Sequence, residues 1–448
     1  MDISCQPQPE QRRFLSSSGL RWIAVLVCLV VVAAVAAAFY LPRVRSRVES
    51  ALGLVPLPSE RQLAVLPFTA LNGDQETGAF AKGLAETLTS RLTKLTEKHS
   101  LQVIPTRELT NNRVETVRQA RQEFGVNLSL EGSVQQSGSM LRVSYHLVDA
   151  KTMRQVRGDT ITASVSDPFT LEDAVADSVV RALELELQPN ERAALAADRM
   201  TQPSAYDFFL QGRGYLQDYL RPGNLESAIS EFNHALELDS DYAPAYAGLG
   251  EAYWYSCEGT RDPSWVNKAT DACSRALQHD ERSAEAHNCL GTVYQGTGKF
   301  ELAALQFERA LELEPTSDES VRGLASAYAH MNKTGEAEET YRRAIALRPQ
   351  YWRGYSMLGA FYSAHARYDE AAKTFREVIA LAPDNYRGYS NLGGVYLFQG
   401  RSTQRLAHCL SALRPFSRQR THIQTWPQLT FICGNSRSQL APLRKRSN

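Results

Sequence analysis

Three hydrophobic rhythms divide the chain. Trp22 to Leu41 is an unbroken apolar run of twenty residues (WIAVLVCLVVVAAVAAAFYL). Between residues 63 and 190 the pattern changes every ten to twenty residues. Leu63 to Phe68 reads as a buried strand, and Phe80, Leu84, Leu88, Leu92 and Leu95 make a one-faced helix. Leu101 to Ile104 predicts a second strand and residues 114–124 a second helix. Val126, Leu128, Leu130 and Val134 then alternate with Asn127, Ser129, Glu131 and Gln135. A Ser137-Gly138 turn leads to Leu141, Val143, Tyr145 and Leu147, which alternate with Arg142, Ser144 and His146. That is a hairpin with one wet face. A weaker strand near residues 153–163 and an amphipathic helix from Phe169 to Leu187 close this α+β stretch.

From residue 203 to 400 a longer period takes over. Leu249-Gly250, Leu290-Gly291, Leu324-Ala325, Leu358-Gly359 and Leu392-Gly393 recur at steps of 41, 34, 34 and 34 residues. Each is followed three residues later by Tyr253, Tyr294, Tyr328, Tyr362 or Tyr396. Within the same period come Ala303, Ala337 and Ala371, then Phe307, Tyr341 and Phe375, then Pro315, Pro349 and Pro383. This spacing resembles the tetratricopeptide repeat, a helix–turn–helix unit. Small residues let two antiparallel helices approach, aromatics fill the wedge between neighbours, and proline ends the second helix. One such hairpin cannot bury its apolar face alone, so several must stack. An earlier variant unit (Gly212, Tyr215, Ala228, Phe232, Ala235) carries four extra residues around Leu220–Gly223. The next carries a seven-residue insertion near Cys257–Pro263, expected to lie in a loop.

The fold class expected is therefore mainly α: one N-terminal transmembrane helix, a small α+β domain, then an α-helical, right-handed solenoid. The divisions are a short polar tail (1–21), the span (22–41), a linker (42–62), the α+β domain (63–190), about five repeats plus a broken sixth (203–400), and a basic tail (401–448). Twenty apolar residues match the thickness of a bilayer core, and Trp22 and Tyr40 suit its interfaces. A cleaved signal peptide, with Ala34-Val35-Ala36 as the cleavage site, is the competing reading. We favour the anchor because the apolar run continues through Phe39-Tyr40-Leu41. Arg12, Arg13 and Arg21 before the span and Arg43, Arg45 and Arg47 after it leave the orientation nearly tied.

The α+β stretch (LAVLPFTAL, FAKGLAETLTSRL, FGVNLSLEGSV, LRVSYHLVDAKT) resembles the TolB-amino-terminal-like (FlgO-like) domain of bacterial membrane proteins. The order of parts from about residue 22 to 400 resembles the non-catalytic C-terminal half of bacterial receptor-type serine/threonine kinases. Related halves follow winged-helix domains in transmembrane regulators. That resemblance implies a bacterial inner-membrane protein with its repeat half outside the cytoplasmic membrane. The module expected ahead of the span is missing, since twenty-one residues cannot hold one. Without a glycine-rich loop, HRD or DFG element, kinase activity is not expected.

Charge and cysteine usage narrow the picture further. Lys+Arg and Asp+Glu both number 49, but residues 401–448 hold nine of the bases and none of the acids, leaving 40 bases against 49 acids in residues 1–400. An acidic body argues against a nucleic-acid surface. Seven cysteines without CxxC spacing make a zinc site or a disulfide framework unexpected. Cys273 and Cys289 read as small buried thiols, with a Cys257–Cys273 bridge the alternative. The last repeat starts well and then places Arg405 where Ala is required and Cys409 where an aromatic is expected. Two readings of 401–448 stay open: a basic tail for lipid headgroups or nucleic acid, or an out-of-frame continuation, which we favour because the break falls mid-hairpin.

No catalytic motif stands out. Gly298-Lys299 is no phosphate loop, HExxH and GxSxG are absent, and the nine His are scattered. No cofactor, metal or small-molecule substrate is expected. In tetratricopeptide stacks the first helix of each repeat lines a concave groove. Carried onto this sequence, the groove positions are Glu251, Trp254, Tyr255, Asn288, Thr292, Gln295, Arg322, Ser326, His330, Arg353, Ser356, Arg387 and Ser390. Arg322, Arg353 and Arg387 would suit an acidic peptide. The expected function is a non-catalytic, membrane-anchored scaffold for protein or peptide partners. The alternative is the regulatory half of a signalling protein whose kinase or winged-helix effector is encoded separately or lost.

Overall fold

The computed structural model describes residues 57–71, 75–96, 98–195, 201–383 and 385–399. The expected tail 1–21, span Trp22–Leu41, most of the linker and the basic tail 401–448 lie outside the described residues. No helix among the described residues is long and apolar enough to cross a membrane.

Alternation and apolar runs in the first part become a mixed sheet. Strands β1 (Arg61–Val65), β2 (Thr69–Ala70), β3 (Leu101–Ile104), β4 (Leu128–Ser137), β5 (Met140–Asp149) and β6 (Arg154–Ser164) form a sheet of order β3-β1-β4-β5-β6. β3, β1 and β4 run parallel, β2 extends the β1 edge along β4, and β4-β5-β6 is an antiparallel meander. Helix α1 (Gln75–Thr93) buries Phe80, Leu84, Leu88 and Leu92. Between β3 and β4 the chain makes two helices rather than one: α2 (Thr106–Asn111) and α3 (Val117–Phe124). Thr116 and Gln119 form a capping box at the start of α3, and Gly125 at φ 70° ends it. The last helix here, α4 (Pro168–Ala182), starts on an Asp167 cap and stops five residues short of the sequence expectation. A short α5 (Pro189–Leu195) follows.

The second part is helices throughout: α6 (Pro203–Leu216), α7 (Asn224–Leu238), α8 (Ala243–Thr260), α9 (Ser264–His279), α10 (Ala284–Gly296), α11 (Phe300–Leu313), α12 (Asp318–His330), α13 (Thr334–Leu347), α14 (Trp352–Ala364), α15 (Tyr368–Leu381) and α16 (Tyr386–Phe398). They pair in sequence as antiparallel hairpins, α6–α7 through α14–α15, with α16 opening a sixth. The aromatics fill the wedges as their spacing implies. A Cβ added to Gly291 or Gly323 would fall within 2.7 Å of the Phe307 ring, and one on Gly212 or Gly248 would meet Phe232 as closely. The chain leaves α10, α12 and α14 through left-handed residues 34 apart, Gly298 (φ 76°), Asn332 (φ 60°) and Ala366 (φ 55°). Each hairpin turn demands that conformation, whichever residue supplies it.

Two expectations are corrected. The insertion near Cys257–Pro263 mostly lengthens a helix instead of swelling a loop. α8 runs 18 residues, against 13 in α10 and α12, before Arg261 ends it at φ 57°. Cys273 and Cys289 are not separate thiols but a disulfide joining α9 to α10, with Cα atoms 5.8 Å apart. Stacking puts residues 16 apart in sequence on facing helices, at a separation that suits the bridge. Cys257 is a free thiol, so the Cys257–Cys273 bridge does not form.

The sheet and the solenoid share a seam. Gly83 of α1 lies against Leu210 of α6, where an added Cβ would stand 1.9 Å from the Leu210 carbonyl oxygen. Gly214 of α6 lies against Ala79 of α1, with the corresponding distance 1.8 Å. Backbone meets backbone at both points, so no rotamer change can make room. Gly214→Ala is expected to destabilise the chain by about 2–3 kcal/mol, whereas Gly78→Ala, inside α1 at a site with open space around it, is expected to stabilise it by up to about 1 kcal/mol. Chemical denaturation of the two variants checks the difference.

Candidate functional site: the inner face of the solenoid

Helices α8, α10, α12, α14 and α16 each offer one row of side chains to the concave side, and the structure places the thirteen candidate groove residues along those rows. They do not form one open surface. The α+β module occupies part of the groove, and five of the thirteen hold it.

Glu251 and Tyr255 of α8 engage Arg107, the second residue of α2. Arg107 donates to the Tyr255 hydroxyl, its Nη2 is 3.5 Å from Glu251 Oε1, and it pairs with Glu319 of α12. Tyr255 stacks on Tyr219 with ring centroids 4.1 Å apart and donates to Glu251 at 2.9 Å. Glu251 also receives Arg213 of α6, which pairs with Glu86 of α1. Charges thus alternate from one module to the other: Glu86, Arg213, Glu251, Arg107, Glu319.

Arg322 and Arg353 converge on one carboxylate, Glu108. Arg322 Nη2 lies 3.1 Å from Glu108 Oε1 and Arg353 Nη1 lies 2.6 Å from Oε2. Asp318 stands behind both guanidinium groups, at 3.3 and 3.7 Å. Glu108 is 1% exposed, and burial lifts its carboxyl above the ordinary range even though Arg322 and Arg353 pull it down. Arg387 donates to Asn112 Oδ1 and lies 3.8 Å from Glu123. The capping residue of its helix, Asn385, donates to the Glu123 carbonyl oxygen.

The other candidates stay within the solenoid. Trp254 covers Gly296, where an added Cβ would stand 2.1 Å from the indole. Asn288 accepts from Ser320 at 2.7 Å, and Gln295 donates to Ser326 at 3.3 Å. His330 is exposed and stacks on Phe300 at 4.5 Å. Thr292, Ser356 and Ser390 are half-buried along the same rows.

Sequence reasoning missed the other half of these contacts. Arg107 and Glu108 looked like ordinary polar residues after a strand. Nothing local marks them, because their partners lie 144 to 245 positions away. A further buried carboxylate, Glu172 of α4, takes Arg91 Nε at 2.9 Å and a hydrogen bond from the Tyr206 hydroxyl of α6. It too is raised by burial, despite Arg91. Among the described residues no group of three or more His, Cys, Asp or Glu is placed to hold a metal ion. What the arrangement can do chemically is grip charged side chains.

Residues 203–398 thus form stacked helical hairpins, a tetratricopeptide-like solenoid with an ion-lined inner face. The family model described as Tetratricopeptide repeat matches residues 289–351 and 362–419, and these stretches are tetratricopeptide repeats. The second match ends at residue 419. A curated relative named "Putative adenylate cyclase 3", from Rhizobium meliloti (strain 1021), is 29% identical over 195 residues, 43% of this chain. The match covers 32% of that relative, so the chain spans about a third of its length. Among solved structures, Pseudomonas aeruginosa pilF is 21% identical, covering 48% of this chain and 91% of that one, at a TM-score of 0.38. MamA (24% identical, 37% and 92% covered) and YrrB, titled a TPR protein with an unusual peptide-binding site (22% identical, 42% and 90% covered), give 0.31 and 0.32.

One titration at the seam is measurable. Burial, with the Glu231 and Glu76 charges nearby, raises Asp207 of α6 to about 6, against an accepted hydrogen bond from Gln211. A carboxyl raised on folding contributes stability that is complete below its unfolded value and is lost as pH climbs through the folded one. The wild-type chain is therefore expected to lose stability between about pH 4 and 6 through this group. Asp207→Asn is expected to flatten that interval and to be about 1 kcal/mol more stable at pH 7. Denaturation midpoints across pH 4 to 8 check it.

Proposed function

We propose that the chain is a membrane-anchored scaffold: Trp22–Leu41 holds it in a bacterial inner membrane, and the solenoid recruits protein partners without turning over a substrate. The tetratricopeptide repeats themselves support protein interaction, since stacked hairpins present long side-chain rows and little else. The observation that carries the choice of partner is the convergence of Arg322 and Arg353 on one buried carboxylate. Such a site selects acidic segments. The Cys273–Cys289 disulfide supports an extracytoplasmic solenoid, because structural disulfides persist in oxidising compartments. The resemblance of the α+β module to FlgO-like domains fits the same location.

A second reading is favoured by the curated match. A relative named as an adenylate cyclase, three times the length of the shared stretch, suits the view that this chain is the regulatory part of a signalling protein whose effector lies elsewhere.

Capture from bacterial membranes with the tagged full-length chain tests the scaffold. Specific proteins are expected on the wild-type bait and are lost when Arg322, Arg353 and Arg387 are reversed to Glu. Recovery of the same set by the reversed bait discards the groove, and recovery of none by either discards the scaffold. Non-reducing peptide mapping of the same preparation is expected to show the Cys273–Cys289 linkage. Free thiols at both positions would place the repeats in the cytoplasm.

A further inference from the structure

The two modules are joined unevenly. At the first repeat they are welded: Gly83 and Gly214 bring the α1 and α6 backbones into direct contact. Gln217 donates to the Lys82 carbonyl oxygen at 2.8 Å, and Tyr206 reaches the buried Glu172. At the later repeats contact is made by side chains: Leu109, Val114, Val117 and Phe124 share a buried cluster with Trp352, Leu358, Phe375 and Tyr396, and long polar side chains reach across beside it. Arg322 and Arg353 hold Glu108, Arg387 holds Asn112, and Gln62 reaches the Gln350 carbonyl oxygen at 3.4 Å. The apolar part of this end centres on Phe124 over Trp352, with ring centroids 6.3 Å apart. Arg322 and Arg387 remain 31% and 37% exposed, open to water and to a competing anion.

We propose that Glu108 is a latch acting in cis: repeats four to six lift away from α2 and α3 about the α1–α6 seam, and an acidic segment of a protein partner replaces Glu108 on Arg322 and Arg353. This deepens the scaffold reading and rests on it. The ionic part of the exchange is even, because one carboxylate leaves the two guanidinium groups as another arrives, and uncovering the apolar cluster shared by Phe124 and Trp352 is the cost of opening. The same charges and the same donors are used on both sides. Glu108 is held by two arginines, one of them part-exposed, whereas the ion pair at the seam, Glu86 with Arg213, stands beside the direct α1–α6 backbone contact. The closed form then sets a threshold, and a partner is bound in proportion to the fraction of molecules already open.

The test uses the full chain in detergent micelles. Glu108→Gln is expected to speed amide hydrogen exchange in residues 106–124 and 352–398 by about tenfold, with α1 and α6 unchanged. A fluorescent twenty-residue polyglutamate peptide, at fixed low salt, is expected to bind Glu108→Gln about fivefold more tightly than wild type. Adding Arg322→Ala and Arg353→Ala removes that gain. Should Glu108→Gln fail to fold, the wild-type chain serves: raising salt from 50 to 500 mM is expected to accelerate exchange in the same two segments alone. Exchange that stays uniform across these conditions, or equal peptide affinity for both chains, overturns the latch. An empty membrane capture with exchange behaving as expected instead removes the scaffold reading while the moving element stands.

Discussion

A helical hairpin has more apolar surface than its own two helices can cover, and the whole architecture follows from how that surface is shared out. Along the stack the neighbour covers it: the Phe307 ring sits between Gly291 of its own repeat and Gly323 of the next. Across the stack, on the inner side, the covering body is the α+β module. Leu109, Val114, Val117 and Phe124 belong to the same buried cluster as Trp352, Leu358, Phe375 and Tyr396. The solenoid closes over a folded domain of its own chain, and the curved face that most invites a ligand starts out occupied.

Charge settles how that occupant is held. Burying an ion is costly unless it is paired and hydrogen-bonded, and removing one partner leaves the other stranded. The interface answers by alternating signs. Glu86, Arg213, Glu251, Arg107 and Glu319 run in one line, and Glu108 sits between two guanidinium groups backed by Asp318. Such a ladder contributes orientation more than net stability, because a shift of one step sets like charges face to face. The backbone contact at Gly83 and Gly214 is the opposite kind of joint, fixed by shape and indifferent to salt.

Much of this was legible in advance, for reasons that differ by region. The hairpin β4–β5 was visible because alternation is a local signal, and α1 because Phe80 to Leu92 repeat at the helical period. The repeats were visible because Gly291, Tyr294, Phe307 and Pro315 each do a job the stack needs at that place. α2 was not visible, being six residues long and too short for any period to declare itself. The extension of α8 was missed because an insertion that continues a helix and one that loops out look alike until the next helix packs. The disulfide was missed because spacing in sequence says little about which helices face each other.

What the sequence determined alone is the longer periodic elements and the stacking of hairpins, since both rest on periods and spacings within a few tens of residues. Only the tertiary structure decided what fills the groove. Arg322 could be assigned to the inner face from its repeat position, but an arginine there suits any anion. That the anion is Glu108, 214 residues earlier in the chain, depends on where a separate domain comes to rest. The position is set by summed contacts along the entire seam, and no local pattern encodes a sum.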